Sequence, residues 1–142
     1  MIFSEARVSG PYGAIEAKSL KPGDPVWSWD GNKWRSNSIW KVQYSKSKTS
    51  HALFCFATPL PMYLRCTGNQ LFRIKGAKNV KGSEVRAGQA ILVSEGAHVF
   101  RAEVGAVETT LLSEPEDTFA FELRHGPKNI LVDGFLCKAT NG

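Results

Sequence analysis

Apolar residues in this chain recur in period-two or unbroken runs of strand length, and few segments carry helical spacing. The runs cover residues 6–9, 25–30, 34–44, 52–57, 62–66, 71–74, 90–94, 98–107, 118–124, 129–132 and 134–138. Turn chemistry separates them: Gly10-Pro11-Tyr12-Gly13, Lys21-Pro22-Gly23-Asp24, Asp30-Gly31-Asn32, Thr67-Gly68-Asn69 and Asp133-Gly134. One-turn helices are predicted at 17–20 and 83–86. The run Val26-Trp27-Ser28-Trp29-Asp30 carries two large aromatics and is expected to be covered on one face. Many short strands with punctuating turns predict an all-β sandwich or barrel-like domain.

Two stretches read as copies of one unit. Residues 15–28 are IEAKSLKPGDPVWS and residues 80–93 are VKGSEVRAGQAILV. At a constant offset of 65, Ile15 matches Val80, Leu20 matches Val85, Gly23 matches Gly88 and Val26 matches Ile91. Each copy is a connector, a glycine turn and an apolar strand. Two copies are too few for a solenoid, so the pattern predicts a closed domain with internal pseudo-two-fold symmetry. Coincidence is the alternative, because glycine turns before apolar strands are common in β proteins.

At 142 residues the chain is sized for one domain with its own core, and its ordinary apolar content argues against disorder. No stretch reaches the roughly 20 apolar residues that span a bilayer. The first residues lack the basic and apolar regions of a secretory signal. Cys55, Cys66 and Cys137 are odd in number and sit among apolar neighbours, which predicts reduced core thiols, in the cytoplasm or a virion. No zinc-ligand spacing is present, and no metal or cofactor is expected. The four tryptophans read as core and rim packing rather than a ligand cage. The formal charge of +5 is spread out. Its densest stretch is Lys41, Lys46 and Lys48 with Tyr44, and Lys75, Lys78 and Lys81 form a second. A solvated basic loop is the simpler reading of both, and nucleic-acid binding is the sharper one.

The order of these pieces resembles the Hint superfamily, the fold shared by inteins, bacterial intein-like domains and the autoprocessing domain of hedgehog proteins. Ala6-Arg7-Val8 followed by residues 13–30 is similar to the family's N-terminal block. Leu64-Arg65-Cys66-Thr67-Gly68-Asn69-Gln70-Leu71-Phe72 is similar to its second block, usually T-x-x-H. Residues 80–93 are similar to the stretch after that block. Phe121-Glu122-Leu123 and residues 128–139 are similar to the two C-terminal blocks. Together they span nearly the whole chain in the family's order. The resemblance implies an all-β, pseudo-two-fold horseshoe of many short strands with at most one-turn helices. It also implies one domain, residues 1–142, with no inserted endonuclease.

Family chemistry needs a Cys or Ser at the first position to attack the preceding carbonyl. It needs the Thr and His of the second block to polarise that bond and protonate the leaving amine. It needs a histidine in the first C-terminal block, and a terminal His-Asn pair that cyclises. Here Met1 stands at the nucleophile position, and a thioether cannot make that acyl transfer and be regenerated. Gln70 stands where the T-x-x-H histidine belongs; it can hydrogen-bond but cannot accept and return a proton near neutral pH. Lys128 replaces the next histidine, and Lys138-Ala139 replace His-Asn. Only Thr67 of the second-block pair remains. Met1 read as a translation start leaves no upstream peptide to cleave; a nucleophile replaced in cloning would explain Met1 but not Gln70, Lys128 or Lys138-Ala139.

Plainer readings stand beside these. Thr67–Gln70 is also an ordinary polar turn. Cys66 or Cys137 could serve as a displaced nucleophile, but a reactive thiol needs thiolate stabilisation, and apolar neighbours favour structural cysteines. His51, His98 and His125 lie on separate segments without triad or ligand spacing, and His125 is expected in an exposed loop. Asn141-Gly142 is a labile pair two residues past the expected Asn position, so spontaneous ageing is its favoured account. The leading expectation is a catalytically degenerate Hint module in a structural or protein-binding role, such as a component of a phage tail or head. Its partners are then other protein subunits, and no membrane is involved. The alternative is an intein-like autoprocessing domain with an altered catalytic set. The third reading is nucleic-acid binding through Lys41, Lys46 and Lys48. The sequence leans against an active enzyme.

Overall fold

The computed structural model describes residues 1–56, 61–75 and 78–140. The chain is all-β. Its strands are β1 (Ile2–Phe3), β2 (Arg7–Gly10), β3 (Gly13–Glu16), β4 (Pro25–Trp29), β5 (Trp34–Cys55), β6 (Met62–Cys66) and β7 (Leu71–Lys75). These are followed by β8 (Lys78–Lys81), β9 (Ala90–Glu95), β10 (His98–Glu103), β11 (Ala106–Leu123), β12 (Asn129–Val132) and β13 (Phe135–Lys138). One-turn helices occupy Ala17–Ser19 and Gly82–Glu84, within two residues of the predicted bounds. One sheet runs β11-β1-β6-β5-β4, and β5 pairs back onto β11, so four of its strands close into a ring. The second runs β10-β9-β13-β12-β2-β3, with β7 on β13 and β8 on β7.

The sequence repeat is a structural repeat. Gly23 N–H donates to Ile39 O and Gly88 N–H donates to Val104 O, both at 2.8 Å. Ile39 N–H returns to Asp24 O at 3.0 Å, and Val104 N–H returns to Gln89 O at 2.9 Å. Every partner in the second clasp lies 65 residues after its twin. The two glycines turn at φ +92° and +90°, a region that costs any residue with a Cβ. The apolar matches are buried as pairs: Leu20 with Val85, Val26 with Ile91, Ile39 with Val104. They join one core with Ile2, Val8, Leu53, Leu64, Phe72, Phe121, Ile130 and Phe135. In β4 the pattern alternates as expected: Val26 and Ser28 are buried, and Trp27 and Trp29 are half-buried. The tryptophans pack at the rim. Trp29 meets Trp34 at 5.1 Å between centroids, and Trp27 and Trp34 wall an open groove of about 430 Å³.

Not every strand is short. The predicted runs 34–44 and 52–57 are parts of one 22-residue strand, and 118–124 is the end of an 18-residue strand. The joining segment of β5, Ser45–Ser50, is polar because it pairs with β11 as a two-stranded ribbon largely open to water. A ribbon wet on both faces leaves no hydrophobic alternation to read. The predicted run 98–107 divides at Gly105, where the Phe56 ring lies so close that a Cβ would overlap it. β1, β3 and β8 carried no strand signal, being two to four residues long. Ala57, at the end of one predicted run, lies outside the described residues.

The two clasps predict a matched pair of costs. Nothing lies within 4 Å of an added Cβ at Gly23 or Gly88, so only backbone strain opposes alanine there. Gly23→Ala and Gly88→Ala should each lower stability by about 1–2 kcal/mol, equal within error, in urea melts.

Candidate functional site

β1 lies between β6 and β11, with Ile2 opposite Cys66 on one side and Phe119 on the other. That pairing carries Met1 to the end of β6, where Thr67 begins a turn. Thr67 N–H donates to Met1 O at 2.9 Å, and the Met1 nitrogen donates to Thr67 Oγ1 at 2.7 Å. A hydroxyl has one proton to give. The Thr67 hydroxyl gives it to Asn69 Oδ1 at 2.5 Å, the shorter of its two acceptor contacts, which leaves its lone pairs toward Met1. Gln70 N–H closes the turn on Thr67 O at 3.1 Å. Behind Met1, the buried Thr118 hydroxyl donates to the thioether sulfur at 3.6 Å.

Gln70 is buried, and its side-chain amide donates to Lys138 O at 2.9 Å and to Leu71 O at 3.1 Å. It ties the second block to the C-terminal strand. Ala139 is buried and bonded on both sides: its N–H donates to Lys128 O at 3.0 Å, and its carbonyl accepts Phe121 N–H at 2.8 Å. Lys128 is exposed and donates its ammonium to Leu123 O at 2.7 Å. The structure therefore links Met1 to Thr67, and links Gln70, Lys138, Ala139 and Lys128 to one another, through main-chain and side-chain bonds. Lys128 and Lys138 carry ammonium groups and Ala139 a methyl group.

No charge at the site produces a ready nucleophile. Burial pushes the Cys66 thiol up to about 12, against the pull of the nearby Met1 amine. Burial, reinforced by Cys66, pushes Cys137 well above the ordinary thiol range. Both are free, buried and protonated at neutral pH, as is Cys55, which burial also raises. Among the described residues no group of three His, Cys, Asp or Glu side chains could hold a metal ion. Among the described residues no helix is long and apolar enough to cross a membrane.

Sequence reasoning missed Asn69, Thr118 and His51. Asn69 shared a turn with Thr67, and the turn reading gave it only a local role. Thr118 and His51 reach the site through strand register, which no spacing revealed: His51 lies opposite Cys66, and Thr118 opposite Phe3. His125 is exposed, as expected. The Lys41–Lys48 segment is interleaved with acid, since Lys41 faces Glu122 across the ribbon and Lys46 pairs with Asp117 at 3.7 Å. Asn141-Gly142 lies outside the described residues.

In a chain that starts at Met1, the buried amine is held down to about 6 from 8.0, chiefly by burial, with Cys66 and Cys137 opposing. Its folded value is the lower one, so between these values the unfolded state binds more protons and stability rises with pH. His51, lowered by burial, acts with the same sign. Urea melts from pH 5.5 to 7.5, below the range where the three raised thiols act with the opposite sign, should show this rise, and acetylation of the N-terminus should flatten its upper part.

No protein-family model and no curated protein matches the sequence. Solved structures do match over nearly all of its length. A bacterial intein-like domain from Clostridium thermocellum superposes with a TM-score of 0.81 at 13% identity, covering 96% of each chain. A DnaB intein from Synechocystis sp. PCC 6803 superposes at 0.82 with 16% identity, covering 98% of this chain and 97% of that one. The gp41-1 intein superposes at 0.75 with 18% identity, covering 96% of each. The pseudo-two-fold sheets and these superpositions together give the chain an intein-like Hint fold.

Proposed function

We propose that this chain is a Hint module descended from an autoprocessing domain whose acyl chemistry is disabled, retained as a structural or protein-binding unit. The observation that carries the reading is Gln70. It stands at the position of the proton-carrying histidine, and its amide is committed to Lys138 O at 2.9 Å. A carboxamide neither takes nor returns a proton near neutral pH, so the leaving amine has no acid. The other substitutions point the same way. Met1 offers a thioether where a thiol or hydroxyl must attack, Ala139 offers no side-chain amide to cyclise, and the neighbouring thiols are protonated by burial. What persists is the frame: the Met1–Thr67 contact, the second-block turn and the tie to the C-terminal strand.

Other protein subunits are the partners such a module would take. The cytoplasm or a virion, such as a phage tail or head, is where it would serve. This step is analogy from the fold, which does not fix function. Nucleic-acid binding is disfavoured by the carboxylates set against Lys41 and Lys46.

The second reading is an autoprocessing domain, and one observation favours it. Thr67 keeps its hydroxyl 2.7 Å from the Met1 nitrogen, the nitrogen of any bond joining the chain to an upstream segment. Both readings meet in one assay: intact mass after incubating a chain with folded tags at both ends, with and without added thiol. The natural sequence should stay whole. Met1→Cys combined with Gln70→His should cleave at the upstream junction in the presence of thiol, about 10²–10⁴ times faster than Met1→Cys alone, the usual worth of a positioned general acid. Cleavage of the natural sequence at either boundary would reject the disabled reading.

A further inference from the structure

We infer that His51, which lies outside the second-block motif, is a positioning residue that fixes the Thr67 hydroxyl against the Met1 nitrogen. His51 sits on β5, opposite Cys66 on β6 and opposite Thr109 on β11. Its ring is oriented from one side, because Nδ1 lies 3.1 Å from Thr109 Oγ1. The other side closes over the turn. A Cβ added to Gly68 would meet His51 Nε2 at 3.1 Å and Cδ2 at 3.5 Å, and Ser83 Cβ at 3.2 Å. Gly68 thus lies in a slot between the imidazole and the second one-turn helix, whose Ser83 N–H donates to Gly68 O at 2.9 Å.

The consequence reaches Thr67 through one residue on each side. Gly68 separates Thr67 from Asn69, and Asn69 Oδ1 takes the Thr67 proton at 2.5 Å. Glycine is the residue least able to hold its own conformation. With that wall of the slot gone, the imidazole no longer holds Gly68 from the β5 side. The Asn69 carboxamide then loses its set relation to the hydroxyl, and Met1 loses an acceptor with its lone pairs aimed at it. The role rests on geometry alone and holds whether or not acyl chemistry runs.

The test is residue-resolved amide hydrogen exchange by NMR on the full chain, comparing wild type with His51→Ala, His51→Gln and Thr109→Val. The reporter is Thr67 N–H, bonded to Met1 O. The controls are Gly23 N–H and Gly88 N–H in the two clasps. His51→Ala should speed exchange at Thr67 by roughly tenfold or more while the controls change little. Thr109→Val, which keeps the ring and removes its orienting hydroxyl, should give a smaller change in the same place. His51→Gln, whose amide can still meet Thr109, should recover part of the protection. If His51→Ala does not fold, Thr109→Val carries the comparison. Thr67 exchange unchanged in the variant that folds, or changed equally with both controls, would overturn the assignment. Cleavage is not read in this experiment, so its result is separate from whether the site is disabled.

Discussion

The site exists because a two-residue strand is held in place. Ile2 and Phe3 have little backbone to bond with, yet both side chains are almost wholly buried, and the Arg65 guanidinium caps the Phe3 ring at 4.5 Å. Burying two such side chains is worth roughly 1.5–3 kcal/mol each, more than the few ladder bonds available to so short a strand. Apolar burial therefore seats β1 between β6 and β11. Hydrogen bonding then sets the final position of Met1 against Thr67. Arg65 also binds Glu116 at 2.9 Å, joining β6 to the ribbon beside the same strand. Losing this seat would take Met1 away from the turn while leaving the two clasps intact.

The two halves close the same backbone turn with different side chains. In the first half Ala6 N–H closes on Phe3 O at 3.1 Å; in the second, Gln70 N–H closes on Thr67 O at 3.1 Å. The turns are equivalent in backbone and differ in side chains. Phe3, Ser4, Glu5 and Ala6 occupy the places of Thr67, Gly68, Asn69 and Gln70. One copy places Phe3 in the apolar seat of β1; the other presents the Thr67 hydroxyl to Met1, with Asn69 bonded to that hydroxyl and Gln70 tied to Lys138 O.

Elements with a buried face were legible in the sequence. The repeat showed itself because Leu20 and Val26 and their twins must fill the same space, and because Gly23 and Gly88 must turn the same way; the Ile39–Val104 pair lay outside the two copies and came only with the structure. β6 and β12 were read to the residue for the same reason. The polar middle of β5 was not, since a ribbon wet on both faces has no hydrophobic period. At the site, Thr67 and Gln70 were legible from a local motif. His51 and Thr118 were not, because their places depend on strand register between segments 15 or more residues apart. The tie from Gln70 to Lys138 O joins residues 68 apart and likewise left no local trace.

That tie is the centre of the account, since it makes Gln70 a structural clamp rather than a vacant proton carrier awaiting substrate. It can be read directly from the side-chain amide protons of Gln70 by NMR in solution. The account predicts two distinct, exchange-protected amide protons, one of them showing hydrogen-bond scalar coupling to the Lys138 carbonyl. A rapidly exchanging, solvent-averaged Gln70 amide, or one bonded to Met1 instead, would contradict it.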